Sequence, residues 1–327
     1  MKDRRSFLLG GAALAAAAPR GARAQAWPAR PVRILLGSGA GGSVDIPTRA
    51  LAVRLSARFG VQFVVENRPG GGGTIAAQAV ARAAPDGHTF LSAGPAEMFN
   101  NAALFANAGQ AFPYDPVRDF VPSALIQRGA GVLVVTPKLG VSSWPELLKL
   151  ARERPGRLNM FVGQIGATTH LAGELLKREA QIDFTIVPYR DPAQGFNDVR
   201  TGVVDMTIST PFETLEPIRR GELRPIAVTH TQRIAGMDDI PTFAEYGLPR
   251  VVNLPFIALC APAGTPEAIV RALNRATIEE LAGGPARPKL TPFGRESPPF
   301  SPAELAEFIA QERERWTKII RDGNIRV

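Results

Sequence analysis

The sequence predicts an α/β protein of two lobes, each a mostly parallel sheet flanked by helices. Short apolar runs rich in β-branched residues alternate with helical stretches through most of the chain, the order expected of successive βα units. The strand-like runs are too many for one small sheet. Two further segments, "YDPVRDFVPSALIQ" (114–127) and "PRVVNLPFIALCAPAG" (249–264), read as a crossover and a return. The first lobe is then built from residues 25–127 and 254–327, and the second, 128–253, is inserted between them.

Taken in order, "VRILL", "VQFVVE", "HTFLSA", "GVLVVTP", "LNMFVG", "DFTIVPY", "VDMTIS" and "LRPIAVT" are the expected strands. The expected helices are "DIPTRALAVRLSARFG", "GTIAAQAVARAAPDG", "SSWPELLKLARERPG", "TTHLAGELLKREA", "PAQGFNDVRTG" and "PFETLEPIRRG". Ser143 with Glu146 and Ser301 with Glu304 have the spacing of capping boxes, and Thr265-Pro266 that of an N-cap followed by a first-turn proline. Gly60, Gly202 and Gly221 stand where helices end in a left-handed residue.

The first 24 residues form a separate unit. A charged start, an apolar core from Phe7 to Ala18 and an "ARA" exit describe an export signal cleaved after Ala24. Arg4-Arg5 followed by "SFLL" resembles the twin-arginine type. This segment carries half of the formal net charge of +8. The remaining bases are dispersed among acids and are not interleaved with aromatics, which argues against nucleic-acid binding. The single cysteine, Cys260, rules out an internal disulfide. A free periplasmic protein is expected.

The stretch "GSGAGGSVD" (37–45) follows the first strand and contains G-x-G-x-x-G at Gly37, Gly39 and Gly42, with Glu66 at the end of the next strand. That is the outline of a dinucleotide fingerprint. A helix starting inside the motif would place Pro47 in its second turn, at a cost of about 3 kcal/mol. Starting it at Ser43 or Asp45 puts Pro47 in the first turn and leaves the glycines as a longer loop. Such a loop turns backbone N–H groups and a helix N-terminus toward a cleft, a setting for phosphate or carboxylate.

The order "WPARPVRILL", "VENRPGGGGTIAAQAVARAAPDGHTFL", "YDPVRDFVP", "VPYR", "GVVDMTIST" and "DIPTFAEYGLP" resembles the Bug family from about Trp27 to the C-terminus. Its members are periplasmic solute-binding proteins of tripartite tricarboxylate transporters. The resemblance implies a type II periplasmic-binding fold that closes on its ligand like a flytrap. It also implies a small carboxylate as ligand, held by amides and hydroxyls, and the membrane subunits of such a transporter as partners. A monomer without cofactor or metal is expected, and some members present ligand to sensor systems instead.

Carried over onto this chain, the resemblance makes Ser38, Gly41, Gly42, Ser43 and Val44 the first-lobe ligand loop. Gly94, Gln164, Thr168, Thr169, Asp191, Ser209 and Thr210 supply the rest, with Asp45 and His170 as structural caps beside the site. Ser38 stands where the family usually has a phenylalanine, which implies a roomier or more polar cleft. Asp191 either reads an amino group or caps a helix. Phe99, Phe196 and Phe212 belong either to the core or to the cleft wall.

The enzyme alternative is an exported NAD(P)-dependent oxidoreductase. Against it, His88, His170 and His230 form no zinc motif, and neither G-x-S-x-G nor C-x-x-C occurs.

Overall fold

The computed structural model describes residues 27–163, 165–189, 191–283 and 295–325; the expected export segment and Gln164 lie outside the described residues. Its strands are β1 (Val32–Leu36), β2 (Phe63–Asn67), β3 (Thr89–Ala93), β4 (Phe120–Gly129), β5 (Val132–Val135) and β6 (Asn159–Val162). They continue with β7 (Thr185–Pro188), β8 (Met206–Ser209), β9 (Arg224–Val228), β10 (Phe256–Pro262) and β11 (Arg295–Glu296). One sheet runs β11-β4-β10-β3-β1-β2 and the other β7-β6-β8-β5-β9. The first therefore collects strands from both ends of the chain, and the second takes its strands from the middle.

β1 lies between two parallel neighbours, Ile34 pairing with Val65 on one side and Phe90 on the other. Both of its faces are covered, which explains an unbroken apolar run rather than alternation. Ile34 enters the core beneath helix α1 (Asp45–Phe59), with Leu51 and Leu55, while Leu35 joins the opposite core with Ala76, Ala77 and Val80 of α2 (Thr74–Ala81). Leu305, Ile309, Trp316 and Ile320 face that second core from the C-terminal helix α9 (Pro302–Asp322), at the spacing of one helical face.

The other lobe is built likewise. On one face of its sheet Leu133, Met160 and Ile208 pack with Trp144 and Leu147 of α4 (Trp144–Glu153) and with α5 (Thr168–Ala180). On the other, Val132, Phe161 and Val228 pack with Val199 of α6 (Pro192–Thr201). The remaining helices are α3 (Asn101–Asn107), α7 (Pro211–Arg219) and α8 (Glu267–Ala282). No helix among the described residues is long and apolar enough to cross a membrane.

Two differences from the sequence reading have physical causes. The expected crossover and return are themselves strands, β4 and β10, paired antiparallel in the middle of the first sheet. Their register shifts twice, so that Ser123 and Ile126 are extra residues beside Leu259 and Ala258. Bulges of this kind accommodate Pro122 and break the alternation that marks a strand. Both sheets are consequently mixed, since β5 is also antiparallel to β8 and β9.

The second difference concerns caps. Ser301 and Glu304 form their box, but Glu146 reaches back to the amide (2.7 Å) and hydroxyl of Ser142 rather than completing a box with Ser143. Thr265 turns its hydroxyl to Pro262 O, and α8 begins at Glu267, one residue later than the Thr-Pro pair suggests.

The chain passes between the sheets after β4 and before β10. The Thr229 hydroxyl binds both passages, accepting from the Gly131 amide (2.9 Å) and lying 3.1 Å from Asn253 O. Gly129 N donates to Pro255 O at 3.0 Å beside them.

Candidate functional site

The glycine-rich loop leaves β1 at Gly37 and enters α1 at Asp45, so Pro47 falls in the first turn, where helical N–H groups lack intrahelical acceptors. Neither Ser43 nor Asp45 acts as a side-chain cap; Val44 occupies the cap position. Asp45 instead pins the loop. Its carboxylate accepts the Gly41 amide (2.9 Å), the Arg49 guanidinium and the Asn67 side-chain amide, and Asn67 also donates to Ser38 O (3.0 Å). Burial opposes ionisation of Asp45, but these donors hold its carboxyl below the usual range. Glu66, the other half of the apparent dinucleotide motif, is occupied by a two-pronged contact from Arg33 on the adjacent strand.

A cavity of about 270 Å³ lies between the two sheets. From the first lobe its wall includes Ser38, Ser43, Val44 and Gly94, and from the second Thr168, Thr169, Ser209 and Thr210. Gly41 and Gly42 do not line it: Gly41 spends its amide on Asp45, and Gly42 O accepts from Ile46. Asp191 is exposed and absent from the wall, its Oδ1 accepting Ala193 N at 2.9 Å as the cap of α6. Phe196 lines the cavity, Phe99 is core, and Phe212 is exposed.

Several of these hydroxyls and amides already have partners. Ser209 and Thr210 both hold the Glu213 carboxylate, at 2.6 and 3.0 Å, and Thr210 forms a full capping box with it at the start of α7. Gly94 N donates to Glu97 Oε2 (3.0 Å). Thr168 and Thr169 open α5 without a side-chain cap. By contrast, Ser38 Oγ and Asn253 Oδ1 are buried on this wall and make no hydrogen bond within the described residues.

His170 is buried in the first turn of α5, its Nδ1 accepting Gly166 N at 3.2 Å. Burial, with the nearby Lys177 charge adding to it, lowers its pKa to about 4, so the ring is neutral and serves as an acceptor. Gly166 is held from the other side as well, its carbonyl accepting the Asn100 side-chain amide across the cleft.

The sequence reading did not single out Glu97, Asn100, Glu213 or Asn253. Thr210-x-x-Glu213 has capping-box spacing and was readable. Asn100, Asn253 and Glu97 are assembled by contacts distant in sequence.

The sequence profile of the family described as "Tripartite tricarboxylate transporter family receptor" matches residues 48–325. The chain belongs to that family. The receptor is 32% identical over 300 residues to Protein BugT of Bordetella pertussis (strain Tohama I), covering 91% of each chain. It is 34% identical to a structure of R. palustris Rpa4515 with adipate, with a TM-score of 0.83 over 91% of this chain and 98% of that one. It is 28% identical to MatC from Rhodopseudomonas palustris with bound malate, with a TM-score of 0.82 over 90% and 99% of the two chains. The two-lobed periplasmic-binding fold implied by the sequence resemblance is therefore the fold of the receptor.

Proposed function

We propose that the receptor captures a small carboxylate in the periplasm, between lobes divided near residues 127/128 and 253/254, and delivers it to the membrane subunits of a tripartite tricarboxylate-type transporter. The cavity between the two sheets, lined from both, carries this reading. Its size suits a compact acid such as those named with the two Rhodopseudomonas structures. Ser43 and Val44 lie at the positive end of α1, and Ser38 offers an unengaged hydroxyl beside them. Thr168 and Thr169 face them from the second lobe. The receptor works as a non-catalytic monomer, and ligand shifts it toward the closed form by binding that form more tightly.

Native mass spectrometry of freshly purified protein, followed by a thermal-shift panel containing adipate, malate and other carboxylates, tests the reading. At least one acid is expected to raise the melting temperature by several degrees. No shift with any acid rejects it. For the export step, replacing Arg4 and Arg5 by lysine is expected to retain the precursor inside the cell; unchanged export rejects the twin-arginine route alone.

A further inference from the structure

Among the described residues the cavity wall holds two carboxyl groups, Glu97 and Glu213, and neither lysine nor arginine. Glu213 is consumed by the start of its own helix. Glu97 is placed differently. It sits in a π-type turn (Ala96–Asn100) leading into α3, only 9% exposed, with Oε2 accepting the Gly94 amide. Oε1 is lodged against both glycine loops: a Cβ at Gly73 would fall 2.0 Å from it, and one at Gly37 2.9 Å. These two glycines make the room the carboxyl occupies.

Among the described residues, none of the charged groups around it neutralises it. Tyr114 donates its hydroxyl to Glu97 O (2.7 Å), and Cys260 approaches from β10; both are held neutral by burial and by the Glu97 charge. From α9, packed on this turn, Glu312 and Arg315 face each other at 3.5 Å. Across the cleft stand Glu213 and the neutral His170, while Asp45 is paired with Arg49. An isolated buried carboxylate is costly, and a ligand anion nearby raises that cost.

We propose that Glu97 is a ligand-contacting residue that takes a proton from solvent and, as the neutral acid, donates it in a hydrogen bond to an oxygen of the bound carboxylate. Ligand capture is then coupled to proton uptake at this side chain, and the wall selects ligands presenting an acceptor there. The proposal rests on the carboxylate-binding reading. Burial, against the Gly94 amide, pushes the carboxyl up to about 7, which places the coupling near neutrality.

Calorimetric titration with adipate and with malate at pH 6.0 and 8.5 tests it, with wild type, Glu97→Gln and Glu97→Ala. Wild-type affinity is expected to fall about 30-fold over that range, the change for one proton bound at a pKa near 7. At neutral pH the apparent enthalpy differs between phosphate and Tris by about half the difference of their ionisation heats, since about half of the free protein already carries the proton. Glu97→Gln, whose amide donates without titrating, loses the pH dependence and binds more tightly than wild type at pH 8.5; Glu97→Ala is weaker at pH 6.0. Affinity independent of pH overturns the inference alone. Tighter binding at pH 8.5 that Glu97→Gln abolishes also overturns it, by showing an ionised Glu97 paired with a cationic ligand group. If neither these two probes nor any acid of the panel binds at either pH, the carboxylate-binding reading fails and the inference falls with it.

Discussion

The side-chain amide of Asn100 donates a 3.0 Å hydrogen bond to the carbonyl oxygen of Gly166, joining a turn of the first lobe to the loop after β6 in the second. The same glycine has φ of +84° and donates its amide to His170. Gly166 thus carries one contact within its lobe and one across the cleft, and the second belongs only to an arrangement in which the lobes meet.

Asn100→Ala removes that link and leaves a buried carbonyl without its donor, a loss of about 1 kcal/mol from the closed form. Ligand affinity is expected to fall about five-fold. Small-angle scattering of the ligand-free variant is expected to give a larger radius of gyration than wild type; identical curves and affinities reject a latch at this position.

Gly73 leaves no room for a side chain. Alanine there would meet Glu97 Oε1 at 2.0 Å and take a φ of +90°. Left-handed strain and overpacking together predict a loss of about 3 kcal/mol in urea denaturation. In a Glu97→Ala background the overpacking share disappears and only the backbone share remains, so the two substitutions are non-additive. Simple additivity would separate Gly73 from Glu97.

Glu97 and His170 give stability opposite dependences on pH. The folded chain keeps the Glu97 proton up to about 7, whereas the unfolded chain releases it near 4.5, so stability drops as pH rises through that window. His170 resists protonation down to about 4 while the unfolded chain takes a proton near 6.5, so stability drops as pH falls there. Each effect is on the order of 3 kcal/mol, and the two oppose each other between pH 4.5 and 6.5. Glu97→Gln is expected to make stability rise more steeply with pH across this range, and His170→Asn to make it fall. Denaturant midpoints at pH 4.5, 5.5 and 6.5 read the two slopes; variants with the same sign refute the assignment.

Thr229 ties the two inter-sheet passages together with one hydroxyl. Thr229→Val keeps the volume and leaves the Gly131 amide without its acceptor, at a cost of about 1–3 kcal/mol. The melting temperature is expected to drop by several degrees. An unchanged value would mean that the amide finds another acceptor.

Much of the fold was legible because its signals are local. The loop after β1 could be placed from Pro47, and its anion-facing character from the glycines and the following helix. β4 and β10 were read as connections because two bulges and Pro122 disrupt the strand pattern. At the site, Ser38, Ser43, Thr168 and Ser209 were named through the family resemblance, and all four line the cavity. Asp191 also looked available, but a residue just before a proline-started helix readily serves as its cap, and its side chain does so. Glu97 ends the stretch "SAGPAE" at the cleft edge, but no motif marked its side chain. Gly94 is a local neighbour, but Gly37 and Gly73 reach Glu97 only by the parallel pairing of β1 with β3 and the packing of the second glycine loop against that sheet edge.

The strand order also has a consequence for assembly in time. All five strands of the second sheet lie between Val132 and Val228, so that half of the molecule closes over short spans of chain. The first sheet has a gap between β3 and β4 that only β10 fills, and one of its cores is completed by Trp316 and Ile320 near the C-terminus. Distant pairings cost more loop entropy and form later. During synthesis the inserted half is therefore complete while the half with both chain ends still exposes the edges of β3 and β4. The nascent receptor is most vulnerable to aggregation in the interval before β10 and α9 emerge.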